Sequence, residues 1–187
     1  MNTPAAVSAA QERARAAGFT MSSEESCGRF LGVLAGAVRP GGRILEIGTG
    51  SGAGLGWIVA GLGGRSDVEV HSVELDPAIH ALAAAAEWPS WVRLHLGDVH
   101  DLYPVLGSFD LIFADAPGGK WTDLDRTIAA LTPGGLLLVD DMRPERWGSA
   151  DHERLTGEVA TTLLTHPGLN AVELTWSTGL ILCSRIG

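Results

Sequence analysis

The chain has 187 residues, 45% hydrophobic and 19% charged, with a formal net charge of −9. That length holds one α/β domain with a real core and leaves little for a second. The acidic balance, a single lysine (Lys120), the lack of any Lys/Arg run and the lack of a membrane-length apolar run argue against nucleic acid or a membrane as partner.

An Ala-rich stretch at 4–17 reads as a helix that stops at Gly18. A second helix is expected over 24–38, after Ser22 or Ser23 as cap, ending at Pro40-Gly41-Gly42. Short β-rich runs follow at 43–47, 68–73, 92–96, 109–114 and 136–139. Helical stretches at 54–62, 77–87 and 122–131 follow the first, second and fourth runs, with a short helical turn after the third. Strict alternation means right-handed crossovers and a parallel sheet covered on both faces. The tail departs from it. A helix at 153–166 precedes two strands, 171–176 and 180–185, and a link as short as Ser177-Thr178-Gly179 permits only an antiparallel hairpin. The expected fold is one Rossmann-like α/β domain over 1–187, with a mostly parallel seven-stranded sheet ending in that hairpin. Cys27 and Cys183 lack any metal or disulfide spacing and read as buried small hydrophobes. The N-terminus lacks a signal-peptide pattern, so a cytoplasmic location is expected.

Each parallel strand ends in acid: Glu46, Glu74, Asp98, Asp115, and Asp140 with Asp141. Ligands of open α/β sheets bind outside these carboxyl ends. The first strand runs into Gly48-Thr49-Gly50-Ser51-Gly52-Ala53-Gly54, which also satisfies the dinucleotide fingerprint G-x-G-x-x-A, with Glu74 near the ribose-acid position. Charge decides between the two readings. A pyrophosphate beside Glu46 faces a like charge, about 4 kcal/mol per pair at 4 Å and an effective dielectric of 20. A sulfonium and an ammonium are instead attracted. S-adenosylmethionine is therefore the favoured ligand. The glycines would admit its methionine end, Glu74 would hold the ribose hydroxyls, and Asp98 with the Val99 amide would meet the adenine edge.

At this point Ile44-Leu45-Glu46-Ile47-Gly48-Thr49-Gly50-Ser51-Gly52 resembles motif I of class I S-adenosylmethionine-dependent methyltransferases. Nearly the whole chain after residue 20 is similar to the small bacterial O-methyltransferases related to caffeoyl-CoA and catechol O-methyltransferases. The similarity rests on Met21-Ser22-Ser23-Glu24-Glu25, Val73-Glu74-Leu75-Asp76-Pro77, Gly97-Asp98-Val99, 109–115, Pro133-Gly134-Gly135-Leu136, Asp140-Asp141 and Gly179-Leu180. The resemblance implies the class I methyltransferase fold, with the first 38 residues capping the site and Ser23 beside the cofactor. It implies cofactor contacts from Ser23, Glu46, Gly48, Thr49, Gly50, Gly52, Gly54, Glu74, Asp98, Val99 and Asp115. It also implies a divalent cation, Mg²⁺, on Asp115, Asp140 and Asp141, which would let a catechol-like diol chelate the metal and lose a proton. A small hydroxylated acceptor and, since relatives are often dimers, a homodimer are the implied partners.

Two positions depart from the family. Asp-Asn is usual where Asp140-Asp141 stands, and the family's general-base lysine falls two residues late, at Lys120, followed by Trp121. Lys120 is the expected catalytic base, in a pocket that would lower its pKa. His100 and His152 are minor alternatives, Trp121 and Trp147 are candidate walls for an aromatic acceptor, and Arg143 or Arg146 would meet a carboxylate. Three rival readings stand beside this one: a nicotinamide oxidoreductase, a metal-independent methyltransferase acting on nitrogen or carbon, and a cofactor-binding module without turnover.

Overall fold

The computed structural model describes residues 2–146 and 148–187. Two helices, α1 (Ala5–Ala17) and α2 (Glu25–Ala37), precede the alternating part. There β1 (Arg43–Ile47), α3 (Ala53–Gly61), β2 (Glu69–Glu74), α4 (Pro77–Ala84), β3 (Val92–Leu96), α5 (Val99–Leu106), β4 (Phe109–Ala114), α6 (Leu124–Ala129) and β5 (Leu131–Val139) follow in turn. A 3₁₀ turn at Pro144–Arg146, α7 (Ala150–Thr165), β6 (Leu169–Leu174) and β7 (Leu180–Arg185) complete the chain. The seven strands form one sheet in the order β3-β2-β1-β4-β5-β7-β6. β1 to β5 pair in parallel, and β7 runs antiparallel to both β5 and β6. The expected fold is borne out.

Alternation along the strands builds two cores. Leu45, Ile112, Leu137 and Ile181 point to the face covered by Tyr103 of α5, Ile128 of α6 and Leu163 of α7. Ile44, Leu111, Phe113 and Leu138 point to the opposite face, against Leu31 of α2 and Leu55 and Ile58 of α3. This period of two with both faces buried is the signature of a parallel sheet between helices. Gly28, Gly32 and Gly36 lie at four-residue spacing along α2 and let α3 come close. A Cβ on Gly61 of α3 would stand 2.1 Å from the Gly32 carbonyl oxygen.

Several boundaries differ from expectation, α4 and α6 being shorter and α7 starting at Ala150. α5 is a two-turn helix, started by Asp98, whose carboxylate accepts the His100 N–H at 2.9 Å. Pro104 stands inside this helix. β5 begins at Leu131, because Thr132-Pro133-Gly134-Gly135 passes through a register shift against β4 before the apolar run resumes. β6 starts two residues early, so its turn to β7 spans 175–179, with Ser177 and Gly179 at positive φ.

The strand order reverses at β1 and β4, whose carboxyl ends therefore open a crevice at the switch point. The segment between α1 and α2 crosses this crevice and roofs it with Phe19, Met21, Ser22 and Ser23.

Candidate active site

The loop after β1 is shaped by glycines. Gly48 has φ 99° and Gly50 φ 55°, conformations that favour glycine. A Cβ on Gly48 would sit 2.7 Å from the Asp115 carbonyl oxygen. The Gly50 N–H donates to Glu74 Oε2 at 2.9 Å, and the Asp76 N–H to Glu74 Oε1 at 3.1 Å. The end of β2 thus clamps the loop while its carboxylate lines the groove.

Three hollows open along the edge. The first is lined by Phe19, Met21, Ser22, Ser23, the glycine loop, Glu74 and Asp115. The second, over β2 and β3, is lined by Glu74, Asp76, Asp98, Val99, Pro117 and Thr122. The third lies over β4 and β5 and is lined by Ser23, Glu24, Asp115, Asp140, Asp141, Arg146 and Thr178. The first and third share Met21, Ser22, Ser23 and Asp115, so they adjoin across these residues. There Ser23 Oγ donates to Asp115 Oδ2 at 3.1 Å. Burial, reinforced by the Asp140 charge and opposed by the Lys120 ammonium, raises the Asp115 pKa well above the usual carboxylate range. Burial raises Asp141 in the same direction, again opposed by Lys120.

The hollows bring together most of the expected cofactor residues: Ser23, Gly48, Thr49, Gly50, Gly54, Glu74, Asp98, Val99 and Asp115. Two stand apart. Glu46 is 1% exposed and lies beneath the loop, where Ser72 Oγ donates to its Oε2 at 2.5 Å. Its Oε1 has no hydrogen-bond partner and faces Gly54, where a Cβ would come within 2.3 Å. Burial, only partly offset by Ser72, pushes its pKa up to about 8. Glu74 and Asp115, unlike Glu46, line the groove. Gly52 has φ 92° and caps α3, and a Cβ there would meet the Trp88 ring at 2.9 Å.

The three expected metal ligands, Asp115, Asp140 and Asp141, meet at the third hollow, but their oxygens are not equally open. Asp140 is 1% exposed. Its Oδ1 accepts from the Thr178 hydroxyl and from the Asp141 N–H, and its Oδ2 from the Cys27 thiol at 3.1 Å. A hard divalent cation needs open oxygens in near-octahedral array. Among the described residues no group of three or more such side chains is arranged to hold one. The donor set does not fit the cation.

Lys120 is displaced too. It is 3% exposed, and its Nζ donates to the Asp140 carbonyl oxygen at 3.0 Å and lies 4.0 Å from Asp141 Oδ2. The ammonium also sits 5.4 Å from the Trp121 ring centroid. It comes up beneath the carboxylates and is not among the residues that line the third hollow. Trp121 packs edge-on against His152, behind the site, and the expected wall residue Trp147 lies outside the described residues. His100 is bound to Asp123 on the surface. Arg143 pairs with Glu145, whereas Arg146 reaches the acceptor hollow, paired with Glu24 at 2.5 Å. Sequence reasoning placed the stretch from Met21 beside the site but missed Phe19 in the roof, and Thr178 and Cys27 as donors to Asp140. Only the roof carried a signal, its adjacency to Ser23.

A Rossmann-like sheet with this glycine loop and a row of strand-end acids defines a class I methyltransferase architecture. Residues 45–142 match the methyltransferase domain family, and the chain belongs to it. It is 30% identical over 182 residues to the catechol O-methyltransferase of Mycobacterium tuberculosis, covering 91% of this chain and 80% of that one. Six other curated relatives are matched over 35% to 64% of their own lengths. The cofactor-bound Rv0187 from MTB superposes with a TM-score of 0.83 at 26% identity, over 96% of this chain and 89% of that one. The O-methyltransferase TomG from Streptomyces achromogenes, in complex with SAM, shares the fold with a TM-score of 0.82 at 22% identity, over 100% and 92%. No helix among the described residues is long and apolar enough to cross a membrane.

Proposed function

We propose that the chain transfers a methyl group from S-adenosylmethionine to a hydroxyl of a small acceptor, with Asp115 at the point of transfer. The observation that carries this reading is the shared wall. Asp115 borders both the hollow beside the glycine loop and the hollow over β4 and β5. The residues fit the methyl donor: Ser22 Oγ and Ser51 Oγ are buried without partners among the described residues and belong to residues lining the first hollow. Glu74, Asp98 and Val99 would hold the nucleoside end along the second hollow, and the glycine loop the methionine end.

When bound, the donor supplies an electrophilic methyl carbon, whose bond to sulfur breaks as a bond to oxygen forms, releasing a neutral thioether. Asp115 takes the acceptor's hydroxyl proton. Burial raises its pKa above the usual carboxylate range, which strengthens it as a proton acceptor, and the Ser23 hydroxyl fixes its orientation. Phe19 and Met21 keep water from the site, where charge disappears as the reaction proceeds. The likeness to a catechol O-methyltransferase makes a catechol-like or other hydroxylated small molecule the first acceptor to try. The Mg²⁺ expected from the resemblance takes no part in this mechanism, because the oxygens of Asp140 are occupied. Calorimetry with S-adenosylhomocysteine, followed by a methyl-transfer assay over catechols and simple phenols, tests the reading. Binding and O-methylation are expected. NADH binding in place of S-adenosylhomocysteine would overturn it.

A further inference from the structure

The ends of β4 and β5 carry three carboxylates, Asp115, Asp140 and Asp141, and one cation reaches them from inside the fold. The chain is led there by its own loop. After Pro117 the backbone turns through Gly119, at φ 77°, where a Cβ would stand 2.6 Å from Ile47 Cδ1. The Pro117 carbonyl accepts the Trp121 N–H at 2.8 Å, and the Lys120 side chain is sent under the strand ends. There its ammonium bonds the Asp140 carbonyl and faces Asp141, while Asp140 itself is sealed by Thr178, Cys27 and the Asp141 amide. A divalent ion entering this cluster has to compete with three donors for the oxygens of Asp140 and lie beside a buried positive charge.

We propose that Lys120 is the built-in cation of the acceptor site, a positioning residue whose ammonium holds the Asp140–Asp141 corner in place of a divalent metal. The inference rests on the methyl-transfer reading for its activity measurements, but its metal-binding measurement needs no acceptor. The two therefore fail separately.

The test uses the full chain saturated with S-adenosylhomocysteine. Mn²⁺ titrated against it and followed by electron paramagnetic resonance is expected to stay free to about millimolar concentration, beyond the range of a built transition-metal site. Catechol methylation with S-adenosylmethionine is expected to be unchanged by EDTA. Lys120→Met is expected to lower turnover by about tenfold or more while leaving S-adenosylhomocysteine affinity unchanged, with Lys120→Arg restoring most of the loss because it keeps the charge. Micromolar Mn²⁺ binding by the unaltered chain overturns the inference, as does EDTA inactivation reversed by Mg²⁺ or full activity in Lys120→Met. Should Lys120→Met not fold, the Mn²⁺ titration of the unaltered chain and the activity of Lys120→Arg decide. Failure of S-adenosylhomocysteine to bind sinks the methyl-transfer reading, and the Mn²⁺ result for the unliganded chain still settles the question of the cation.

Discussion

The two ends of the strand edge spend their acids differently. Over β2 and β3, Glu74 fixes the Gly50 N–H of the neighbouring loop and Asp98 the His100 N–H of its own, yet both still line an open hollow. Over β4 and β5, Asp140 borders the third hollow but gives both oxygens to donors of the fold, and Lys120 closes the corner from below. Acids that look equivalent in sequence thus divide into ligand-facing and fold-facing sets. Asp115 stands between them, held by Ser23 and open to both hollows.

Replacing residues across that divide separates the two sets. Asp115→Asn keeps the Ser23 hydrogen bond but removes the base, and turnover is expected to fall by about 10²–10⁴, the usual contribution of general-base catalysis. A steady-state assay at saturating acceptor reads this, and the affinity for S-adenosylhomocysteine is expected to change little. Asp140→Ala strikes the fold instead. It leaves the Thr178 hydroxyl and the Asp141 amide without partners, a cost of about 2–4 kcal/mol. Urea unfolding is expected to show that loss; an unchanged midpoint would place Asp140 among the ligand-facing acids after all. Glu74→Ala touches the open half, where loss of a charge-assisted contact is expected to weaken S-adenosylhomocysteine binding by about tenfold or more in calorimetry.

The fold was readable because its signals are local. Apolar runs of five or six residues, Gly/Pro punctuation and the capping acids Asp76 and Asp98 mark nearly every element. The glycine loop and Glu74 were legible for the same reason: positive φ and a clamping acid are properties of short stretches. What escaped depends on side chains meeting across long separations. Cys27 lies 113 residues from Asp140 and Thr178 lies 38 from it, and nothing in either neighbourhood announces the contact. Glu46 was misread for a related reason. Strand-end position says that a carboxylate is near the groove, but whether it points up to the ligand or down to Ser72 depends on the pleat and on the space left by Gly54.

Glu46 also sets the smallest predicted effect, and its sign follows from burial. In the unfolded chain its carboxyl releases its proton near the ordinary value of 4.5, whereas in the fold it holds the proton up to about 8. Between those values the folded state binds more protons than the unfolded one, so stability must fall as pH rises. The stabilising contribution is complete below the unfolded value and is lost as pH rises through the folded one. Asp115 and Asp141 are shifted in the same direction and add to the slope, while acids held low by arginines, such as Asp67 and Glu69, change only at more acid pH. Comparing melting temperatures between pH 6.5 and pH 8 for the unaltered chain and Glu46→Gln isolates the one group. The unaltered chain is expected to lose roughly 4 °C more than the variant, the shift that about 1–2 kcal/mol produces at this size. Equal slopes would mean that Glu46 ionises freely, and would return it to the ligand-facing set with Glu74.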